Sequence, residues 1–378
     1  MGIVVGIDAS RNRSGGAKVH LSGILENADP VAYGIDTVHV WSYRSLLAAL
    51  PDAPWLVKHN PPALERSLLR QVWWQYHHLP NEARARGCRL LLNTDAGSVC
   101  PYQPAVAISQ DMLSYEPGEM RRYGFSKARL RLILLRYIQA STLRRADAAI
   151  FLTAYASKVI QSVTGPLPRV SIIPHGLGAA FRRAVPANHW PQLPERPIRC
   201  LYVSNAAMYK HQWNVVRAIG ALRKRGVDVS LVLAGGGSGR AQSLLDRTIE
   251  EIDPQREFVQ TVGFVQHEEL PALLASADLF VFASSCENMP NTLVEAMAAG
   301  LPIACSDRGP MPEILQEAGV YFDPEDVPSI ADAVARIASD AELRTRIAQR
   351  ARRLSEQYSW ERCAQETWTL LHAVAQRT

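Results

Sequence analysis

Short apolar runs alternate with stretches of helical length along the whole chain. GIVVGIDA (2–9), WLVKHN (55–60), RLLLNTD (89–95), AVAISQD (105–111), AAIFLT (148–153) and VSIIPHG (170–176) are rich in β-branched residues and end in polar or glycine-bearing turns. Such runs predict buried parallel strands. After the first run, the turn RNRSGG leads into AKVHLSGIL, which predicts a helix. A proline-rich tract, PANHWPQLPERP (186–197), precedes a second series: IRCLYVS, VSLVLAGGG, FVQTVGFV, DLFVFASS, PIACSD and VYFDP. Helices are predicted around WNVVRAIGALRKRG (213–226) and ELPALLASA (269–277). Two βαβ series joined by a linker predict two Rossmann-type halves.

Length and composition agree with that division. At 378 residues the chain is long for one domain and comfortable for two. With 47% hydrophobic and 20% charged residues, it reads as an ordinary soluble globular protein. The segment MGIVVGIDAS lacks a basic leader and a cleavage site, so a first strand is expected there and not a signal peptide. The six cysteines are scattered with no C-x-x-C pair, which fits a reducing cytoplasm better than a disulfide or zinc framework.

The net charge of +5 is unevenly spread. Between Arg121 and Arg145 lie Arg122, Lys127, Arg129, Arg131 and Arg136 with leucines and isoleucines between them and no acidic residue. This predicts a basic amphipathic helix, suited to an anionic membrane surface or to a half-buried position with a solvated basic face. No recognised nucleic-acid module accompanies it, so nucleic acid is not expected as a partner.

The candidate chemistry concentrates in the second series. Glu287 and Glu295 bracket ENMPNTLVEAMAAG, between the strand-like LFVFASSC and a helix ending at Gly300. Asn291 is the expected N-cap. Glu287 then lies at the carboxyl end of a strand and Glu295 in the first turns of the next helix. Open α/β sheets bind ligands at that edge, and free N–H groups at a helix start suit a phosphate. A carboxylate on each side can accept hydrogen bonds from a sugar and a ribose, so a nucleotide-sugar site is expected. Lys210, in YVSNAAMYKHQW, is a point charge suited to a diphosphate.

With the pattern E-x7-E followed by GLPIACSDRGPMPEIL, the chain resembles the retaining glycosyltransferases of family 4, which have the GT-B fold. The resemblance implies an α/β chain of two Rossmann-like domains facing a cleft. It places an acceptor-binding domain at 1–184, a nucleotide-sugar-binding domain at 185–357, and a C-terminal helix at 358–378 returning to the first domain. It further implies that Gly15 and Gly16, after Ser14, approach the sugar and diphosphate, and that Lys210 neutralises the leaving diphosphate. The arginine usual in the family five or six residues before that lysine is absent here, where Ser204 and Asn205 stand. Gly235 and Gly236 would lie near the nucleotide, while Phe264 and Val265, after Gly263, would cradle the base. Glu287 would bind sugar hydroxyls, Glu295 the ribose, and the amides of Asn291, Thr292 and Leu293 the phosphate.

Where many relatives have a histidine near the sugar and acceptor, Gln110 stands, with Asp111 beside it. Glutamine cannot titrate, so it is no general base; Asp111 is either a base or a capping residue. His175 is either structural or catalytic. No D-x-D motif occurs, so a metal-independent site is expected.

The motifs are similar to those of bacterial surface-polysaccharide (O-antigen, lipopolysaccharide) mannosyltransferases. They imply a hexosyltransferase with no cofactor, a GDP-sugar as co-substrate and a polyprenyl-diphosphate-linked glycan as acceptor. The expected location is cytoplasmic and peripheral, at the inner face of the cytoplasmic membrane. A UDP- or dTDP-sugar donor, a nucleotide-sugar epimerase of the same architecture and an inactive sugar-binding protein are the alternatives.

Overall fold

The computed structural model describes residues 2–13, 15–184, 190 and 196–377. Ser14 and most of the proline-rich tract lie outside the described residues. The chain divides into two compact units, Met1–Gly176 with Tyr358–Thr378, and Leu177–Gln357.

The first unit is built on seven parallel strands: β1 (Ile3–Asp8), β2 (Ile35–Trp41), β3 (Leu56–His59), β4 (Leu90–Asn93), β5 (Ala105–Ser109), β6 (Ala148–Phe151) and β7 (Val170–Ile172). Their order is β3-β2-β1-β4-β5-β6-β7, so chain direction across the sheet reverses between β1 and β4. Strand β2 escapes the apolar-run pattern because Asp36, Thr37 and His39 interrupt it. The imidazole of His39 is nevertheless buried, 2.8 Å from a ring nitrogen of His59 and near Trp41.

Helix Trp360–Ala375 packs on helix Gly15–Glu26 within this unit. The indole of Trp360 lies so close to Gly23 that any Cβ there would sit 2.2 Å from the ring, and Trp368 Nε1 donates to Ile24 O at 3.1 Å. Glycine at position 23 is what lets the two helices meet.

The second unit has six parallel strands, β8 (Ile198–Val203), β9 (Val229–Ala234), β10 (Val259–Gly263), β11 (Leu279–Phe282), β12 (Ile303–Ser306) and β13 (Val320–Phe322). The order is β10-β9-β8-β11-β12-β13, with the reversal between β8 and β11. Tyr202, Phe280 and Phe282 are fully buried at its centre, and helices cover the sheet on account of its apolar faces.

One sequence expectation is corrected here. The stretch 121–145 is not a single amphipathic helix. Glu119–Tyr123 forms a 3-10 turn, and the helix proper is Lys127–Arg145, capped by Ser126 accepting from Arg129 N. Its apolar residues are split: Leu132, Ala140 and Leu143 are buried, whereas Leu130, Leu134 and Tyr137 face outward. Among the described residues no helix is long and apolar enough to cross a membrane.

Candidate functional site

Two parallel strands that part at a reversal leave a crevice at their carboxyl ends, and loops from both neighbours line it. In the second unit those strands are β8 and β11. The chain leaving β8 runs through Ser204 and Asn205 into the 3-10 turn Met208–Lys210, and His211, at φ 48°, turns it into helix Gln212–Lys224. The chain leaving β11 carries Ser285 and Glu287 and enters helix Asn291–Ala299.

The two loops are tied together. Ser285 N donates to Tyr209 O at 2.8 Å, and His211 Nε2 lies 2.9 Å from Ser285 Oγ. Across this tie Lys210 Nζ forms an ion pair with Glu287 Oε1, both side chains being largely buried. The ammonium also stands 5.5 Å from the Phe282 ring centroid and 5.2 Å from that of Tyr209. Tyr202 OH donates to Lys210 O at 2.7 Å, which fixes the lysine backbone.

Glu295 projects from the second turn of the following helix and is buried. Burial alone pushes its carboxyl up to about 8. His267 stands beside it, with Nδ1 3.9 Å from Oε1, and burial lowers that imidazole's pKa, which favours its neutral form. The cap of this helix differs from expectation: Pro290 holds the capping position and Asn291 is the first helical residue. Asn291 N donates to Met289 O at 3.0 Å, so its amide already serves the turn.

Gly235 closes the same edge. It has φ 122°, and a Cβ would fall 2.2 Å from Ser204 O, so only glycine fits. A Cβ on Gly236 would meet nothing nearer than Phe264 N at 4.0 Å. Phe264 itself is exposed after Gly263. Asn205 and Val265 stand on the loops that follow β8 and β10. Lys210, Glu287, Glu295, Gly235 and Gly236 therefore gather at one sheet edge.

The first unit has its own polar edge at the β1–β4 reversal. Asp8, at the end of β1, is buried and accepts from Ser10 Oγ at 2.7 Å, Gln75 Nε2 at 2.5 Å and Ser98 Oγ at 3.0 Å. These bonds, with Thr94 Oγ1 donating to Asn12 Oδ1 at 2.7 Å, hold the loop that leads to Gly15. A Cβ at Gly15 would meet no atom within 4 Å, so packing does not demand the glycine.

Gln110 Nε2 donates to Thr94 O at 2.8 Å and lies 3.3 Å from His20 Nδ1. Asp111 Oδ1 accepts from Leu113 N at 3.0 Å, a local turn bond, and burial raises its pKa. His175 is buried and stacks on His20 with centroids 4.5 Å apart.

Residues 188–354 match the family model for glycosyl transferases group 1. The second unit carries a glycosyltransferase group 1 domain. O-antigen chain mannosyltransferase B of Escherichia coli is 34% identical to this chain over 110 residues, 29% of each sequence. Glycogen synthase of Mycobacterium tuberculosis is 30% identical over 240 residues, 61% of this chain and 55% of that enzyme. The chain thus spans well under two thirds of the length of these curated relatives. Sucrose-phosphate synthase of Thermosynechococcus elongatus superposes with a TM-score of 0.78 at 16% identity, over 100% of both chains. The fold is GT-B, an α/β architecture of two Rossmann-like domains.

Sequence reasoning missed several residues of this glycosyltransferase-like chain. Asp95 follows β4 and its carboxyl is pushed up to about 6 by burial, with Asp111 and Asp8 adding to the rise. His20 and Arg11 flank the same edge, and His267 stands beside Glu295. Of these only Arg11 lies in a strand-to-helix turn that the sequence singles out, RNRSGG. Their signal was the topology, which brings β1, β4 and β5 side by side.

Proposed function

We propose that the chain is a retaining hexosyltransferase that moves mannose from GDP-mannose to a hydroxyl of a lipid-linked glycan at the inner membrane surface. The observation carrying this reading is the Lys210–Glu287 ion pair at the β8–β11 reversal, with Glu295 on the helix that follows. The mannosyltransferase relative supports the sugar, and the motif resemblance supports the guanine nucleotide.

In this reading Lys210 meets the diphosphate, and its positive charge stabilises the charge that develops as the sugar bond breaks. The amide of Thr292 and the positive end of helix Asn291–Ala299 add to that field, Leu293 N, like Asn291 N, being already donated within the turn, to Pro290 O at 3.0 Å. Glu287 orients the sugar hydroxyls and Glu295 the ribose, with Gly235, Gly236, Phe264, Val265 and Asn205 completing the nucleotide site. Gly15 and Gly16 approach the diphosphate, and Gln110 and Asp111 serve the acceptor side. The cation and the helix end supply what a metal would, so the reaction runs without one. Retention follows when the departing phosphate oxygen takes the acceptor proton on the face it leaves.

Thermal-shift titration with GDP, UDP, dTDP and ADP and their sugars tests the reading. A ligand that binds only the folded state raises the melting temperature by mass action. Selective stabilisation by GDP and GDP-mannose, lost in Glu295→Ala, is expected. Selectivity for a uridine or thymidine nucleotide overturns the donor assignment, and no response to any nucleotide overturns the transferase reading.

A further inference from the structure

Helix Leu68–His77 carries an apolar stripe on its outer side. Leu69, Trp73 and Tyr76 are spaced i, i+4, i+7, so they share one face. Leu69 is 81% and Trp73 57% exposed. Helix Lys127–Arg145 repeats the arrangement with Leu130, Leu134 and Tyr137, of which Leu130 is 68% and Tyr137 72% exposed. Both stripes invert the usual surface-helix rule, in which the apolar face turns inward. They are neighbours: a groove of about 580 Å³ runs between them, lined by Val72, Trp73, Tyr76, Tyr137 and Ile138. A contiguous outward apolar surface of this kind marks an interaction site.

Charge says which kind. Residues 66–81 and 121–145 contain no Asp or Glu. Exposed Arg66 and Arg70 edge the first stripe, and exposed Lys127, Arg131 and Arg145 edge the second. Cations flanking an apolar groove lined by tryptophan and tyrosine match the boundary between lipid headgroups and acyl chains. A water-facing protein partner would not need an acid-free rim on both helices.

We infer that these two helices form one docking surface for an anionic lipid bilayer, with Leu69, Trp73, Leu130 and Leu134 entering the acyl boundary and the flanking arginines meeting the headgroups. The surface rests on and deepens the membrane-side acceptor proposed above, by giving that location a second helix and an inserting face. Basic residues alone would give attraction without depth. Here the groove seats acyl chain against Trp73 and Tyr137, and each nearby cation adds to the hold on anionic lipid.

Co-sedimentation of the full chain with phosphatidylglycerol and with phosphatidylcholine vesicles tests this, alongside tryptophan quenching by brominated lipid. Binding should favour phosphatidylglycerol. Leu69→Ser with Trp73→Ser, both outward-facing, should weaken it at least tenfold, on the order expected from losing two apolar side chains. Trp73→Phe should keep binding while removing most of the quenching. Lys127→Glu with Arg131→Glu should also weaken binding and flatten its salt dependence.

The inference is overturned if no vesicle binding occurs. It also fails if binding responds to the charge reversals and ignores the Leu69 and Trp73 changes. A concentration-dependent dimer that the serine variant abolishes, with no vesicle binding, would instead make this face a contact between copies of the chain. Nucleotide-induced stabilisation measured on the same variants keeps the outcome separate from the transferase reading: it should be unchanged.

Discussion

Lys210 and Glu287 are 77 positions apart in sequence and form an ion pair where the loops after β8 and β11 meet. The pair holds the cation in place before any anion arrives, but it also occupies it. A nucleoside diphosphate must share Lys210 with the carboxylate. Glu287→Gln removes the competing charge and leaves the shape. In that variant GDP alone should bind severalfold more tightly by calorimetry, while sugar transfer falls. Lys210→Ala should lower kcat by about 10²–10³-fold, the scale of losing one fixed donor to a developing charge. Weaker GDP binding in Glu287→Gln than in the wild type would refute the competition.

Glu295 gives a pH dependence with a definite sign. Its folded pKa of about 8 stands above the ordinary value of 4.5 because of burial. Between those values the folded state binds more protons than the unfolded one, so stability falls as pH rises. Glu295→Gln removes the penalty. At pH 8 the variant should be more stable by several kcal/mol, a rise of several degrees in melting temperature, and the gain should vanish near pH 4.5. A gain that persists unchanged at pH 4.5 would place its origin in packing.

Gly235 shows how far local geometry constrains the second unit's edge. Its φ of 122° and the 2.2 Å approach of a Cβ to Ser204 O leave alanine no room without moving backbone. Gly235→Ala should cost about 2–3 kcal/mol in urea unfolding. Gly236→Ala, whose Cβ would meet only Phe264 N at 4.0 Å, should cost less than 1 kcal/mol yet weaken nucleotide binding if ligand passes over it. Equal unfolding costs at the two positions would contradict this geometry.

The strand-to-helix motifs of the second series were legible because each places its residues between a strand end and the first turns of the next helix. Lys210, Gly235, Glu287 and Glu295 are read that way, and the fold brings them to one edge. The first unit was less legible. Strand β2 is interrupted by polar residues, and His39 looks like a loop residue until its partner His59 is seen. His20 sits inside an ordinary helix, and its meeting with Gln110 and His175 depends on which strands are adjacent, a property no single segment carries. The basic stretch 121–145 was legible only in part: the helix begins at Lys127, after a 3-10 turn, and the alternation of charge and hydrophobicity does not say which face the core takes. The exposed stripe on helix Leu68–His77 gave no signal, since Leu and Trp at helical spacing read as core.

Buried His20, stacked on His175, sets the opposite pH limb in the first unit. Burial, helped by the neighbouring His175, holds His20 well below its ordinary value of 6.5. His39 is likewise pulled down to about 4 by burial, with His59 adding. Below about pH 6.5 the unfolded chain binds protons that these neutral imidazoles refuse, so stability is lost as pH falls. Glu295 in the second unit loses stability in the other direction, as pH rises. If the units melt separately, calorimetry should show the first unit's transition dropping between pH 6.5 and 5 while the second unit's transition rises, because its folded state holds more protons at Glu295 than the unfolded chain does. His20→Asn cannot titrate there, and should flatten that acid limb whatever it does to the absolute melting temperature. An acid limb as steep in His20→Asn as in the wild type would remove His20 as its cause and leave His39 and His59 to account for it.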